Sequence, residues 1–176
     1  QILAGSIVIG DATNTSEIVV NTALSTDLNL TLRTATTTGV LDLKESFTVS
    51  SLDLSGINNY QTSILTSTTS NQLNVTESVD LGSGVELGLA TVVSGLTIGD
   101  KVLLIENQGK SPIIGTFKDL AEGAKFEVAD ADSNLVTFQI SYVGGDGNDA
   151  VLEVSNVLGS NDVSTCSGSL VTLTAT

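Results

Sequence analysis

The sequence predicts an all-β protein, and three features of its 176 residues carry that reading. Apolar and polar residues alternate with period two from one end to the other, the pattern of strands that bury one face. Val, Ile and Leu dominate the apolar set, and Thr, Ser, Asn and Gly the polar set, which suits half-buried strands joined by turns. Helix signals are poor, because no window combines an i, i+3, i+4, i+7 apolar stripe with caps at both ends. One short helical turn is expected near Asp119 to Glu122.

Taken in order, Ile7 to Ile9 and Ile18 to Val20 are unbroken apolar runs, as expected of strands buried on both faces. Leu28 to Leu32, Phe47 to Leu54, Leu73 to Val75 and Val85 to Leu89 alternate, as strands with one wet face do. Val102 to Ile105 is again continuous, and Phe126 to Val128 and Val136 to Tyr142 alternate. Clusters such as Thr36-Thr37-Thr38-Gly39, Gly56-Ile57-Asn58-Asn59 and Gly82-Ser83-Gly84 supply the turns between them. About a dozen strands, with a turn roughly every 8 to 12 residues, point to a solenoid or a sandwich.

The architecture expected is a parallel β-helix or solenoid with an antiparallel, hairpin-rich C-terminal part; a β-sandwich is the alternative. Residues 1–94 read as solenoid coils, with short strands, Thr- and Asn-rich turns and loose similarity between segments. Residues 95–156 read as a closing antiparallel segment of the same domain, since strands lengthen there and hairpin turns appear. Residues 157–176 read as a linker and terminal strand. The phrase Gly5-Ser6-Ile7-Val8-Ile9-Gly10-Asp11 returns as Gly95-Leu96-Thr97-Ile98-Gly99-Asp100, without a strict short period.

The net charge is −14, from 20 acidic and 6 basic residues. Such a surface repels nucleic-acid phosphates and anionic lipid, so neither is an expected partner. Membrane insertion is not expected either, since no apolar run approaches the roughly 18 residues of a spanning helix. The acids are dispersed, which fits a solvated surface better than a cation store. With no His, Ser–His catalysis is unavailable, and no Gly cluster lies between a strand and a helix to cradle a phosphate. Met is absent as well, so the expectation is a removed leader or a segment of a longer chain.

Three motifs then occur in order. They are Gly99-Asp100-Lys101-Val102-Leu103-Leu104-Ile105-Glu106-Asn107, Ile114-Gly115-Thr116-Phe117-Lys118-Asp119-Leu120-Ala121-Glu122-Gly123-Ala124, and Phe138-Gln139-Ile140-Ser141-Tyr142-Val143-Gly144-Gly145-Asp146-Gly147-Asn148-Asp149-Ala150-Val151-Leu152. Together they resemble the block that closes β-helical passenger regions of bacterial autotransporter-like and giant surface proteins. Asp119 stands where that block often has Gly, and Ala150 where it often has Val. The resemblance implies export and a solenoid-like passenger, and it carries no catalytic residue. A second segment, Val163 to Thr176, resembles the opening strands of Ig-like repeats in large surface proteins of gliding bacteria. By that resemblance residues 157–176 begin a following Ig-like domain, and Cys166 is half of a bridge or a free thiol.

Two acidic turns are the candidate sites. Gly144 to Val151 fits the calcium-binding nonapeptide pattern, with Asp146, Asn148 and Asp149 as oxygen ligands. One copy supplies half a cage, and the competing reading is a glycine-rich hairpin turn between Phe138–Val143 and Val151–Val154. Asp130-Ala131-Asp132-Ser133-Asn134 opens like a calcium loop, but Leu135 and Ser141 stand where an EF-hand needs Gly and Glu. An Asx-rich turn accounts for it, although Asp130 and Asp132 would share an ion with the other turn if the two met in space.

Other chemistry is weaker. Asp42, Asp53, Asp80 and Glu86 alternate with apolar residues as solvent-facing strand positions, so a glycosidase-like carboxylate pair has no distinguishing signal. Thr34, Thr36, Thr37 and Thr38 form one irregular cluster and no ice-binding ladder, and the sequons at Asn14, Asn29 and Asn74 fit loops or strand edges.

The function expected is therefore a non-enzymatic, extracellular structural or adhesive element of a bacterial surface or matrix protein. An alternative is a fibre subunit joined by strand exchange, with Gln1–Gly10 and Leu170–Thr176 as donor strands. A third is a calcium- or carbohydrate-binding module. Expected partners are other copies, neighbouring domains of a longer chain, or surface glycans; no cofactor is expected beyond Ca²⁺ at the acidic turns.

Overall fold

A computed structural model describes residues 6–11, 13, 17–25, 27–34 and 39–159. Among them the chain is all-β, with no helix. The first strands are short: β1 (Ser6–Ile9), β2 (Ile18–Val20), β3 (Leu24–Ser25), β4 (Asn29–Arg33) and β5 (Val40–Leu43). Longer ones follow as β6 (Phe47–Gly56), β7 (Asn59–Ile64), β8 (Leu73–Gly82) and β9 (Glu86–Val92). The chain continues through β10 (Lys101–Asn107), β11 (Ile114–Gly115), β12 (Lys125–Ala129), β13 (Leu135–Gly144) and β14 (Asp149–Leu158).

From β4 to β10 the strands alternate between two sheets. One is ten-stranded, ordered β1-β4-β6-β8-β10-β14-β13-β12, with β3 added beside β6 and β11 beside β8. The other is four-stranded, ordered β2-β5-β7-β9. Neighbours are parallel throughout the smaller sheet and from β1 to β10 in the larger one. Each return of the chain therefore lays one strand on the last strand of the same sheet.

The alternation in the sequence explains the core. Leu30, Leu52 and Val79 lie in register, as do Phe47 and Leu73, and all five are buried. Leu41 lies beside Tyr60 in the smaller sheet, and the inward residues of both sheets form one cluster. Outward positions repeat their chemistry too. The Ser78 hydroxyl donates to Ser51 Oγ at 3.0 Å, and Asn74 Nδ2 to Thr48 Oγ1 at 3.3 Å. Where the chain crosses between sheets, side chains replace the ladder: Asn71, 8% exposed, donates to the Leu43 carbonyl and accepts Thr62 Oγ1 on its own carbonyl. A buried corner is satisfied in this way without secondary structure.

At β10 the pairing changes. β10 is parallel to β8 but antiparallel to β14, and β13 and β12 follow antiparallel. Parallel pairing thus persists beyond residue 95, through β10 and β11, before the hairpins begin. Gly115 permits the close approach of β11 to β8. Its φ is 80°, and a Cβ there would lie 1.9 Å from the Gly82 carbonyl oxygen. Tyr60, Phe117 and Tyr142 gather where the parallel strands meet the hairpins, with ring centroids 5.7 and 6.3 Å apart.

Three expectations are corrected. Asp119 to Glu122 forms no helical turn. Leu120 N–H donates to the Phe117 carbonyl and Ala124 N–H to that of Ala121, giving two tight turns, and Asp119 has φ 59°. β1 and β2 are not buried on both faces, since Val8, Ile9 and Val19 are exposed; these are edge strands, covered on one side only among the described residues. Asp42 does not face solvent. It is 3% exposed, with Oδ2 2.5 Å from Lys44 Nζ.

Candidate functional site

The first acidic turn is a hairpin. β13 and β14 pair from Leu135–Leu158 to Gly144–Asp149, and Gly147 N–H donates to the Gly144 carbonyl at 2.7 Å. Gly145 and Gly147 take φ of 55° and 115°, which explains why glycines stand there. A Cβ on Gly145 would also meet the Asp149 carboxylate.

Within this turn Asp149 is 6% exposed and its Oδ1 accepts the Asn107 backbone N–H at 2.8 Å. Asn107, wholly buried at the end of β10, donates Nδ2 to the Ser111 carbonyl at 2.8 Å and to that of Asn148 at 3.3 Å. Asn148 Nδ2 returns a bond to the Gly109 carbonyl at 2.7 Å. The turn is thereby fastened to the loop after β10. Burial pushes the Asp149 carboxyl above its ordinary pKa; the Asn107 N–H opposes this, and the nearby charges of Asp146 and Glu106 add to the rise.

Asp146 is exposed beside a hollow of about 420 Å³ that Gln108, Lys110 and Asn148 also line. Asn148 Oδ1 is buried there without a hydrogen-bond partner. Asp149 does not line the hollow, and its Oδ1 serves the Asn107 backbone.

The second acidic turn joins β12 to β13. Asp130 is 7% exposed; its Oδ1 accepts the N–H groups of Asp132 (2.9 Å) and Asn134 (2.8 Å), and Oδ2 accepts Asn134 Nδ2 (3.0 Å). Burial by itself would raise its pKa, but these bonds to the charged form outweigh it and the net shift is downward. Asp132 is exposed. Ser133, with φ 64°, completes the turn.

The two turns do not meet. They lie at opposite ends of the ten-residue β13, about 30 Å apart at ~3.3 Å per residue. Among the described residues no three acidic or Cys side chains gather as a metal-holding group. Asp130 accepts backbone N–H groups of its own turn, and Asp149 accepts the N–H of Asn107 from β10.

Asp53 and Asp80 come together instead, in register on neighbouring strands of the larger sheet. Their Oδ1 atoms accept N–H groups two residues on, those of Ser55 at 3.0 Å and Gly82 at 2.8 Å. They stop their strands with Asx turns on an open, outward face rather than flanking a cleft.

A cavity of about 430 Å³ opens between the sheets at the β1–β2 end. Ile9, Ile18, Val20, Leu28, Leu30 and Phe47 line it, and among the described residues no charged side chain does. Such a wall suits apolar matter. Among the described residues no helix is long and apolar enough to cross a membrane.

Cys166, the donor candidate Leu170–Thr176, the first five residues of Gln1–Gly10, the sequon Asn14 and the cluster Thr36 to Thr38 lie outside the described residues. Sequence reasoning missed Asn107, whose only signal is an amide closing the apolar run Val102 to Ile105, and the Asp42–Lys44 pair, which reads as ordinary alternation. Comparison with protein-family models, curated proteins and solved structures finds no match to this chain.

Proposed function

We propose that this chain is a non-enzymatic structural or adhesive element of an extracellular bacterial surface or matrix protein. In this reading residues 6–107 are a two-sheet parallel β-solenoid, and β12–β14 are its antiparallel cap. The observation that carries it is the regular return of the chain: from β4 to β10 successive strands alternate between sheets, and each lies parallel to its predecessor in the same sheet. Stacked aliphatic ladders with polar outer faces give a rigid spacer whose length grows with each coil. Asp42, Asp53, Asp80, Asp130 and Asp149 bond backbone groups or a basic side chain, as befits structure rather than catalysis. Similarity of the Gly99–Leu152 motifs to the closing block of bacterial surface passengers supports the location.

The test is antibody labelling of intact cells that make the protein, with and without external protease. Protease-sensitive label at the surface is expected; label seen only after lysis would sink the reading.

A fibre subunit is the second reading, favoured by the exposed edges of β1 and β2 and the apolar opening between them. Negative-stain electron microscopy over a concentration series separates the two. Ordered filaments support the fibre, and discrete particles at every concentration support the spacer. A calcium- or carbohydrate-binding module is supported only by the exposed Asp146 beside Asn148, and it requires millimolar Ca²⁺ or a glycan to raise the melting temperature.

A further inference from the structure

We propose that the fold gives way to tension in one fixed order, peeling from β1 coil by coil while the β10–β14–β13 ladder holds the other end. The inference goes beyond the reading above, which supplies only its biological use; the order itself follows from the strand layout.

β1 is an edge strand held through four residue pairs to β4 alone, and β2 through three pairs to β5 alone, among the described residues. Both faces of β1 are open, at Val8 (56% exposed) and Ile9 (45%), and β2 exposes Val19 (37%) while Ile18 and Val20 pack only partly buried against the core. β14 differs on every count. It is ten residues long and flanked on both sides, by β10 and by β13. Ala150, Leu152 and Val154 are wholly buried within it.

The direction of loading separates the two ends further. Glu153 is level with Lys101, and Ile105 is level with Leu73, which is level with Phe47. β14 runs antiparallel to β10, so its Leu158 end projects beyond the starts of the parallel strands. β1 lies at the opposite edge of the sheet, level with the Asn29–Ser51 row further along the strands. A pull between Ser6 and Gly159 therefore runs largely along β14 and loads its two ladders in shear, all bonds at once. The same pull draws β1 back over its own length and away from β4, so its bonds break one after another. Each lost coil exposes the next parallel strand as a new edge, and the process repeats up to β10. Nearest-neighbour stabilisation in a stacked fold makes such stepwise loss the path of least resistance.

The chain becomes an extensible tether with an anchor at its C-terminal side. Extension under load would absorb work without releasing the capped end.

The experiment is single-molecule stretching of the full chain through handles at its two termini. Several small low-force extensions are expected, each roughly 7–10 nm at ~3.5 Å per residue for a coil of about 20–30 residues. A last rupture follows at clearly higher force, releasing roughly 20 nm from β10 to β14. One rupture of the whole contour length, or a first event that frees the cap, overturns the proposal.

A second variant keeps the order testable. Val8 and Thr31 are in register on β1 and β4. Val8→Cys with Thr31→Cys, in a Cys166→Ser background, places a reducible bond across adjacent strands at a separation disulfides accept. When oxidised, the variant should lose the first extension and keep the last rupture force unchanged; reductant should restore the original trace. A lock that leaves the first extension in place, or that moves the last rupture, overturns the order.

Discussion

The Tyr142 hydroxyl accepts the Phe117 backbone N–H at 2.8 Å and donates to the Leu120 carbonyl, also at 2.8 Å. One side chain of β13 thus holds the irregular segment between β11 and β12 against the core. Tyr142→Phe keeps the ring and removes both bonds, leaving a buried N–H without a partner. A loss of about 1–3 kcal/mol in unfolding free energy is expected, measured by denaturant titration. Burial pushes the Tyr142 phenol up to about 12. The unfolded phenol titrates near 10. Stability from this group is therefore full below about pH 10 and is lost as pH rises toward 12. Tyr60 shifts in the same direction, so Tyr142→Phe should blunt, and not abolish, the alkaline fall.

The two buried aspartates of the acidic turns should have opposite acid responses. Asp130 has a depressed pKa, so its contribution is present above the ordinary carboxylate value and lost as pH falls through the depressed one. Asp130→Ala should cost about 1–2 kcal/mol near neutrality and flatten the acid limb. Asp149 has a raised pKa, so its contribution is full below the ordinary value and fades as pH rises through the raised one. Relative to Asp149→Asn, the native chain should gain stability as pH falls from neutral toward 4. Parallel slopes for both variants in urea titrations across that range would contradict the assignment.

Asp119 holds φ 59° in the first of two successive tight turns, where an L side chain is strained. Asp119→Gly relieves the strain, and a gain of about 1 kcal/mol is expected after the added freedom of the unfolded chain is counted. Asp119→Val, β-branched at the same φ, should instead destabilise. Melting temperatures of the two variants on either side of the native value would bear this out.

Lys44 carries its own test. Its ammonium is raised in pKa, first by the hydrogen bond to Asp42 and further by the charges of Asp42 and Glu17, with desolvation opposing. Lys44→Met leaves the Asp42 carboxylate covered and without its cation, so the melting temperature should fall. Asp42→Asn in the same background should recover most of the loss. If the double variant melts no higher than the single one, the pair is not what holds this part of β5.

Much of the strand layout was legible in the sequence because period two is a local property. Each apolar run from Phe47 to Leu54, Leu73 to Val75, Val102 to Ile105 and Val136 to Tyr142 lies in a strand, since alternate side chains must point to opposite faces. The hairpin at Gly144 to Asp149 and the Asx turn at Asp130 were legible for a similar reason: their glycines and acceptors act within a few residues. Misreadings came where the answer depended on a distant neighbour. Ile7 to Ile9 resembles a buried strand, yet Val8 and Ile9 are exposed because no described strand lies beyond β1. Asp42 resembles a surface residue, yet the folded chain covers it.

By itself the sequence determined the all-β class, most of the longer strands, the acidic surface and the turn chemistry at Asp130 and Gly145, while β5 and β7 of the smaller sheet went unread. Only the tertiary structure decided which strands are neighbours, that β10 serves both a parallel and an antiparallel partner, and that the two acidic turns stand at opposite ends of β13. The physical reason is one of range. Backbone sterics and side-chain alternation are set within a few residues, whereas pairing is set by burial and hydrogen bonding between segments tens of residues apart.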